Sequence, residues 1–338
     1  MTRAARRAYS PTRRPHLAPP HTFTPLVRLF VGMIAVLLAA CASPSRPPLP
    51  EWYDTIQRMP IRSVVVDGHR LAYIDQGQGP TLVLFHGFGG AMWQWEYQLA
   101  ALASNYRVVA FDLLGAGLSD KPDIAYRPEE VLQVVRGALD AVGIEQATLI
   151  GNSMGAGIAM GLAMTAPQRV DRLILIGGLP ANIHETVASP LIRRALETRA
   201  PTWLVRVLGW FAGGSATDRV LEEIVYDHRL LTPAVRERSQ RNRRTQNIVG
   251  PALATARTVP EWERDYGPRI PSIAHQTLVL WGERDRVFPP TVGRELAGQL
   301  PHATFHAIPD AGHIPQWEQP ELVNGLIRTF LESPPQSP

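Results

Sequence analysis

Along most of this chain, short apolar runs alternate with longer segments in which apolar residues recur every three or four positions. The apolar runs lie at residues 81–85, 108–111, 148–151, 173–176 and 277–281, with Gly or Asp at or close behind the end of each. Unbroken apolar strands separated by helical segments are typical of a parallel sheet covered on both faces. The pattern therefore predicts an α/β fold.

Two further signals complete the predicted core. Residues 61–67 and 70–75 favour an antiparallel strand pair, because Asp67-Gly68 between them is a strong hairpin dipeptide. The 3.6-residue periodicity predicts helices near residues 92–103, 128–142, 154–166, 292–300 and 320–331.

One long stretch departs from this alternation. About ninety residues, from 181 to 270, contain no clear strand pattern but several helical segments. A structureless loop of that length is uncommon in a compact domain, so we expect a helical cap inserted between two strands. The predicted organisation is a core of residues 61–180 and 271–332 with a cap of residues 181–270.

The net charge of +4 does not indicate a nucleic-acid partner. Residues 1–40 contain six arginines and no acidic residue; without those six, 28 basic residues face 30 acidic ones. The basic excess therefore belongs to the N-terminal segment, and the rest of the chain has no electrostatic footprint for nucleic acid.

The N-terminal segment has the pattern of an export signal. A basic, proline-rich stretch leads into twelve apolar residues, 29–40, which are too few to span a bilayer as a helix. Leu38-Ala39-Ala40-Cys41 resembles a bacterial lipobox, which implies lipid attachment at Cys41, the only cysteine. We expect residues 1–40 to be the signal and the Ser/Pro-rich residues 41–60 to be a tether, so that the protein is a membrane-anchored lipoprotein of the cell envelope. An ordinary signal peptide is the alternative.

The strongest chemical signal is Gly151-Asn152-Ser153-Met154-Gly155, a G-x-S-x-G motif that follows an apolar strand and opens a helix. In that context the serine lies on a sharp strand-to-helix turn with its oxygen exposed, which predicts Ser153 as a nucleophile. The glycines that follow imitate a dinucleotide-binding fingerprint, but the next strand ends in Gly177-Gly178 rather than in an acidic residue. We therefore disfavour dinucleotide binding.

A serine nucleophile needs a base and an orienting acid. His313 lies in a loop after a predicted strand and before the last helix, where ligands bind in open α/β folds. Asp285 and Glu283 follow the strand at 277–281, and we favour Asp285 as the acid. His302 and His306 have metal-like spacing but no Asp, Glu or Cys beside them, so we expect surface residues and no metal site.

An acyl-transfer site also needs donors for the oxyanion. The first expected donor is the backbone N–H of Met154, directly after the nucleophile. The second comes from the glycine-rich loop after residues 81–85, where we favour Phe88 N–H over Gly89 N–H. His86 in the same loop is expected to be structural.

Five motifs occur in a characteristic order over residues 61–332: His86–Gly89, Asp112–Pro122, Gly151–Gly155, Gly282–Asp285 and Gly312–Pro320. Together they resemble the capped α/β-hydrolases of the esterase and lipase-like branch. The resemblance implies the α/β-hydrolase fold: a mostly parallel eight-stranded sheet flanked by helices, with a helical cap inserted between strands 6 and 7. It also implies a triad of Ser153, Asp285 and His313 and no cofactor. A serine at position 153 argues against the dehalogenase and epoxide hydrolase branches.

The function expected from these observations is hydrolysis of carboxylic esters, including lipophilic or lipid esters, near a membrane. The Gly-Asn-Ser-Met-Gly turn of residues 151–155, called the elbow below, is also similar to that of ring-fission (carbon–carbon bond) hydrolases. Those enzymes carry proline in the oxyanion loop, so C–C bond hydrolysis is the alternative. A third possibility is a non-catalytic lipoprotein that uses the fold as a binding scaffold. Oligomeric state and the identity of the ester are left open.

Overall fold

The computed structural model describes residues 59–205, 207, 215–245 and 248–334, and only the backbone of residues 215, 216 and 241–245. The predicted export signal, Cys41 and nearly all of the tether lie outside these residues. They stay predictions.

Eight strands of the described chain form one sheet in the order β1-β2-β4-β3-β5-β6-β7-β8. The first two strand pairs, β1 with β2 and β2 with β4, are antiparallel, and every other pair is parallel. The strands are Ile61–Val66 (β1), His69–Gln76 (β2), Thr81–Phe85 (β3), Arg107–Phe111 (β4), Ala147–Asn152 (β5), Val170–Ile176 (β6), Thr277–Gly282 (β7) and Ala303–Ile308 (β8).

The core lies in two layers, one on each face of the sheet. Val83 and Phe85 of β3 belong to one hydrophobic cluster, and Leu82 and Leu84 of the same strand belong to the other. Successive side chains of a strand point to opposite faces, so a strand buried on both faces must be apolar at every position. This explains the apolar runs within these strands, such as residues 82–85 of β3, 108–111 of β4 and 278–281 of β7.

Helices cover both faces of the sheet and connect the parallel strands. A short 3₁₀ helix, Met92–Trp95, leads into the first α-helix. The core helices are Glu96–Leu102 (α1), Pro128–Ala141 (α2), Met154–Thr165 (α3), Pro290–Gln299 (α10), Pro315–Glu318 (α11) and Pro320–Glu332 (α12).

The chain between β6 and β7 is helical, with no strand among its described residues. Its labelled helices are Ile183–Thr186 (α4), Pro190–Glu197 (α5), Ser215–Ile224 (α6), Pro233–Thr245 (α7), Val249–Arg257 (α8) and Val259–Asp265 (α9). The fold-class prediction is therefore confirmed: a mostly parallel eight-stranded sheet, flanking helices and a helical insertion between the sixth and seventh strands. In the part of the chain that the structure describes, no helix is long and apolar enough to cross a membrane.

Candidate active site

Ser153 lies on a strained turn between strand β5 and helix α3. Its backbone has φ 52° and ψ −117°, a left-handed conformation that non-glycine residues rarely adopt. Its N–H donates to Ile176 O of the neighbouring strand at 2.9 Å, which holds the turn in place. The Ser153 hydroxyl has no hydrogen-bond partner among the described residues, and the residue is 8% exposed and lines a cavity. The turn therefore presents a free hydroxyl at a helix N-terminus.

The two glycines of the motif allow this sharp turn to pack. A Cβ at Gly151 would collide with the backbone of Gly155, and a Cβ at Gly155 would collide with the backbone of Phe85 in β3. A side chain at either position would push the helix away from the sheet. The spacing of the motif therefore reflects close contact of helix α3 with the central strands.

His313 and Asp285 form a hydrogen-bonded pair beside this turn. His313 Nδ1 lies 2.8 Å from Asp285 Oδ2, and both residues are buried. The other carboxylate oxygen, Oδ1, accepts hydrogen bonds from Val287 N–H at 2.8 Å and Phe288 N–H at 3.1 Å. Both carboxylate oxygens of Asp285 are therefore occupied and the carboxylate is held in one orientation.

The structure distinguishes between the two acids considered from the sequence. Glu283 follows strand β7 directly, but its side chain is exposed. Asp285, two residues further on, is turned inward against His313. His313 and Ser153 line the same cavity, so the pair lies at the carboxyl edge of the sheet together with the elbow.

Backbone contacts from the core and the insertion hold the His313 loop. His313 N–H donates to Ile224 O, at the end of cap helix α6, at 2.8 Å. Asn152, the residue before Ser153, donates through Nδ2 to His313 O at 3.0 Å. The elbow and the end of a cap helix therefore both determine where the imidazole lies.

Glu318 adds a second connection between this loop and the cap. Its Oε1 accepts from Gly312 N–H at 2.6 Å, and its Oε2 accepts from Tyr226 N–H at 2.7 Å and Asp227 N–H at 3.1 Å. Burial raises the pKa of Glu318 above its usual value, although the three amide donors act in the opposite direction. The carboxylate therefore fastens the residue before His313 to the segment that follows α6.

The glycine-rich loop after β3 approaches the elbow closely. A Cβ at Gly87 would lie 3.4 Å from Ser153 Cβ and 2.8 Å from Asn152 Oδ1. Gly87 N–H donates a hydrogen bond to Gln94 Oε1 at 3.0 Å, whereas Phe88 N–H has no acceptor among the described residues. Phe88 and Met154 both line the cavity with Ser153. Gly89 N–H likewise has no acceptor among the described residues and lines the cavity, so the arrangement offers an oxyanion the amide of Met154 and that of Phe88 or Gly89.

His86 takes part in the structure of this loop and not in proton transfer. Leu113 N–H donates to His86 Nε2 at 3.1 Å, so Nδ1 carries the proton and donates to Gly87 O at 2.8 Å. Complete burial lowers the pKa of His86, which favours this neutral form. The ring therefore supports the turn between β3 and the loop.

An apolar cavity of about 450 Å³ adjoins the Ser153 hydroxyl. This volume is in the range of pockets that bind small molecules, roughly 300–1,000 Å³. Its walls combine the core with the cap: Leu114, Ile158, Leu179, Leu196, Leu221, Ile224, Leu253, Trp262, Val287 and Phe288. The cap residue Trp203 does not line this cavity and is 66% exposed.

The histidines with metal-like spacing do not form a site in the described chain. His302 lies just before strand β8 and is exposed, and His306 lies within the strand. Among the residues that the structure describes, no group of three or more His, Cys, Asp or Glu side chains could hold a metal ion.

Sequence reasoning missed Asn152 and Glu318. Asn152 is part of the elbow motif, but its role appears only when the His313 loop is placed beside it. Glu318 follows His313 by five residues, and the nearby Pro315 and Pro320 draw attention to helix starts rather than to the carboxylate. The available signal was an acidic residue five positions after the predicted base.

Known proteins resemble this chain over most of its length. A 2-hydroxy-6-oxononadienedioate/2-hydroxy-6-oxononatrienedioate hydrolase of Paraburkholderia phymatum is 34% identical over 273 residues, covering 78% of this chain and 91% of that protein. A 2-hydroxy-6-oxo-6-phenylhexa-2,4-dienoate hydrolase of Burkholderia cepacia is 29% identical over 268 residues, covering 78% of this chain and 91% of the relative. The crystal structure of a serine hydrolase from Cycloclasticus zankles superposes with a TM-score of 0.70 at 23% identity, covering 81% of this chain and 98% of that one, which shows the shared fold.

These relatives overturn the expectation of an ester hydrolase. Their names specify hydrolysis of 2-hydroxy-6-oxo-dienoates. These compounds contain no ester group, so the names fit the alternative, hydrolysis of a C–C bond. The sequence favoured esters because the oxyanion loop lacks proline, but that single difference is a weak discriminator. Ester and C–C hydrolysis can both use a serine nucleophile, a histidine base and a tetrahedral oxyanion, so the motifs that identify the machinery do not identify the bond.

The family-level prediction is confirmed independently of the substrate. A family model described as the alpha/beta hydrolase fold matches residues 80–320, a range that contains the elbow, the Asp285 loop and His313. With that match, the sheet order and the relatives, the chain belongs to the alpha/beta hydrolase family and is a hydrolase.

Proposed function

We propose that this protein hydrolyses the C–C bond of a 2-hydroxy-6-oxo-dienoate, the type of compound formed when an aromatic ring is opened. The observation that carries the proposal is the relative of 34% identity, 91% of whose length matches this chain. The apolar cavity beside Ser153 is consistent with it, because such a compound presents a largely hydrocarbon body around its C6 carbonyl.

The residues at the elbow have distinct roles in this reaction. Ser153 Oγ attacks C6 while His313 Nε2 takes the hydroxyl proton, and Asp285 keeps the other ring nitrogen, Nδ1, protonated. The amides of Phe88 and Met154 donate to the oxyanion that forms at C6. The positively polarised N-terminus of helix α3 favours the same negative charge.

A carbon leaving group requires one additional proton transfer. The proton of the 2-hydroxyl first moves to C5, so that the resulting 2-oxo group is conjugated with the C3–C4 double bond. When the tetrahedral intermediate collapses, the C5–C6 bond breaks and its electron pair passes into the dienolate. The 2-oxygen of that dienolate receives the proton held by His313, and C6 remains as an ester of Ser153.

Water completes the cycle. His313 takes a proton from a water molecule, which attacks the acyl-enzyme through a second oxyanion at the same amides. The proton then returns to Ser153 Oγ. One water is consumed, and the products are a carboxylic acid from C6 and 2-hydroxypenta-2,4-dienoate.

The test is a substrate panel with matched serine variants. Two of the compounds named for the relatives, 2-hydroxy-6-oxononadienedioate and 2-hydroxy-6-oxo-6-phenylhexa-2,4-dienoate, are followed by loss of their absorbance and compared with p-nitrophenyl butyrate. We expect the protein to turn over the 6-phenyl dienoate, and Ser153→Ala to reduce kcat by on the order of 10⁴-fold or more. Ser104→Ala, at an exposed position outside the cavity, is the control and keeps full activity. Turnover of the p-nitrophenyl ester with none of either dienoate would refute the proposal.

A further inference from the structure

Two buried hydroxyl groups on the wall of the cavity have no hydrogen-bond partner in the part of the chain that the structure describes. They are Thr217 Oγ1 of cap helix α6 and Ser239 Oγ of cap helix α7. The residues are only 9% and 8% exposed, and both line the cavity that contains Ser153. Buried polar groups in proteins are nearly always paired, so these two hydroxyls require an explanation.

Two other helical hydroxyls in this protein are satisfied within their own helix. Thr165 Oγ1 donates to Gly161 O at 2.7 Å, and Thr329 Oγ1 donates to Gly325 O at 3.0 Å. Bonding to the carbonyl four residues earlier is the ordinary solution for Ser and Thr in helices. Ser239 lies well inside α7 and does not use it. Its hydroxyl and that of Thr217 are available to a molecule in the cavity.

The two hydroxyls lie at matching positions of two helices that are tied together. Gln240 Nε2 donates to both carboxylate oxygens of Asp218 at 3.1 Å, and Arg236 pairs with Glu222 at 3.0 Å. Thr217 and Ser239 each precede one residue of the Asp218–Gln240 contact. The hydroxyls are therefore carried by a fixed helix pair and are preorganised for a ligand.

Helix α6 also sets the distance between Thr217 and the loop that carries His313. Thr217, Leu221 and Ile224 follow the spacing of one helix face, and all three line the cavity. Ile224 O holds His313 N–H at 2.8 Å, so this face runs from the hydroxyl to the imidazole loop. Seven residues of α-helix at 1.5 Å per residue span about 10 Å.

The group recognised at this distance is uncharged. Both hydroxyls are neutral, each can donate and accept, and the wall between them and His313 is apolar. Arg238, the residue before Ser239, is not among the residues that line the cavity. Its terminal nitrogens pair with Glu96 at 3.4 Å and its guanidinium lies over the Trp93 ring at 4.7 Å, while its buried Nε has no hydrogen-bond partner among the described residues. A buried carboxylate at the hydroxyl pair would lose its hydration for two neutral donors, whereas an alcohol or a carbonyl is well matched.

We propose that Thr217 and Ser239 form a subsite for a neutral hydrogen-bonding group, a hydroxyl or a carbonyl, at the far end of an apolar substituent, about 10 Å along α6 from Ile224, whose carbonyl holds the His313 loop. This rests on the proposed function, since the scissile bond is assigned through Ser153. It defines the substrate as a dienoate whose C6 substituent is long, mainly hydrocarbon and ended by an uncharged polar group. A second carboxylate at that end, as in a dienedioate, does not fit this subsite.

The test measures binding and needs no turnover. An extended chain of about eight carbon–carbon bonds of ~1.52 Å spans the required distance, so the probes are 10-hydroxydecan-2-one and decan-2-one. Their ketone occupies the oxyanion position, and they differ only in the terminal hydroxyl. Titration calorimetry gives the ratio of the two Kd values, for which we expect about a tenfold preference for the hydroxy ketone.

Variants test whether the preference for the hydroxy ketone depends on Thr217 and Ser239. Thr217→Val with Ser239→Ala is expected to bring the ratio of Kd values to about one, and Thr217→Ser alone to retain the preference. Thr165→Val, whose hydroxyl is satisfied by Gly161 O, is the matched control and keeps the tenfold ratio. A ratio near one in the unmodified protein, or an unchanged ratio in the double variant, overturns the subsite. Dienoates that are not hydrolysed while the ketone preference holds would refute the proposed function and leave the subsite standing.

Discussion

Glu318 accepts a hydrogen bond of 2.6 Å from the N–H of Gly312, the residue directly before His313. Its second oxygen is held by two amides of the segment that follows cap helix α6. One buried carboxylate thus joins the imidazole loop to the cap that forms the cavity wall. The position of the base and the position of the substrate pocket are consequently coupled through Glu318.

Replacing this carboxylate should displace His313 without removing it. In Glu318→Gln one oxygen becomes an NH₂ group, which faces amide donors and cannot accept from them. Losing a charge-assisted hydrogen bond of about 1.5 kcal/mol predicts a fall in kcat of about tenfold, with a smaller change in KM. Glu321→Gln, at an exposed position in α12, is the control with unchanged kinetics. Equal kinetics of Glu318→Gln and Glu321→Gln would contradict the positioning role.

The effect of Glu318→Gln on stability should depend on pH in a defined direction. Burial raises the folded-state pKa of Glu318 above its usual 4.5, so its stabilising contribution is fully present below 4.5 and is lost as the pH rises through the raised pKa. Gln does not titrate. The Tm of the wild-type protein minus that of Glu318→Gln should therefore decrease as the pH rises through this window. A difference in Tm that is constant or increases with pH would refute the raised pKa of Glu318.

Asp285 should be sensitive to the loss of a single charge. In Asp285→Asn the side-chain oxygen stays with the amides of Val287 and Phe288, so the NH₂ group faces His313 Nδ1. This forces the imidazole into the tautomer that cannot accept the Ser153 proton, and kcat should fall by on the order of 10⁴-fold. Glu283→Gln, an exposed acid two residues away, should retain activity. Comparable losses in both variants would disprove the assignment of the orienting acid.

Substitution by alanine should have opposite effects on stability at Gly155, where helix α3 contacts the sheet, and at Gly298, which has open space around it. Gly155→Ala forces a methyl group against the backbone of Phe85 and should lower the free energy of unfolding by about 1–3 kcal/mol. Gly298→Ala lies in helix α10 with open space around the new Cβ and should raise it by about 0.5–1 kcal/mol. Urea denaturation measures both. Gly155→Ala as stable as the wild-type protein would show that the helix does not pack as described.

Much of the fold could be predicted from the sequence because the central strands are buried on both faces. Runs such as 82–85 are therefore apolar at every position and easy to recognise. The expected helix over residues 92–103 begins instead as a 3₁₀ turn over Met92–Trp95. Asp112 Oδ1 accepts from Met92 N–H at 2.7 Å, and this contact between distant residues is not visible in local periodicity.

Site residues could be predicted where local sequence determines them, and could not where contacts between distant residues do. Ser153 was recognisable because its strained turn requires glycines at fixed local positions. The role of Glu318 was not recognisable from the sequence, because its partners Tyr226 and Asp227 lie about ninety residues earlier in the chain. The bond that is cleaved was predicted wrongly because the same triad and oxyanion donors serve several acyl-transfer reactions.

Attachment to a membrane is a separate prediction for the N-terminal segment. If Cys41 carries a lipid, Cys41→Ser should move the protein from the membrane fraction to the soluble fraction and abolish incorporation of a labelled fatty acid. Ser43→Ala, two residues further on, serves as the control and should remain with membranes. Membrane retention of Cys41→Ser, without label in either protein, would refute lipid attachment at this residue.

The most direct test of the central claim is to identify the products formed from 2-hydroxy-6-oxo-6-phenylhexa-2,4-dienoate by mass spectrometry. Hydrolysis of the C5–C6 bond by Ser153 predicts benzoate and 2-hydroxypenta-2,4-dienoate in equal amounts, with one oxygen of benzoate derived from labelled water. Ser153→Ala should form neither product. Recovery of the intact dienoate after incubation with a protein that still cleaves p-nitrophenyl esters would contradict the account.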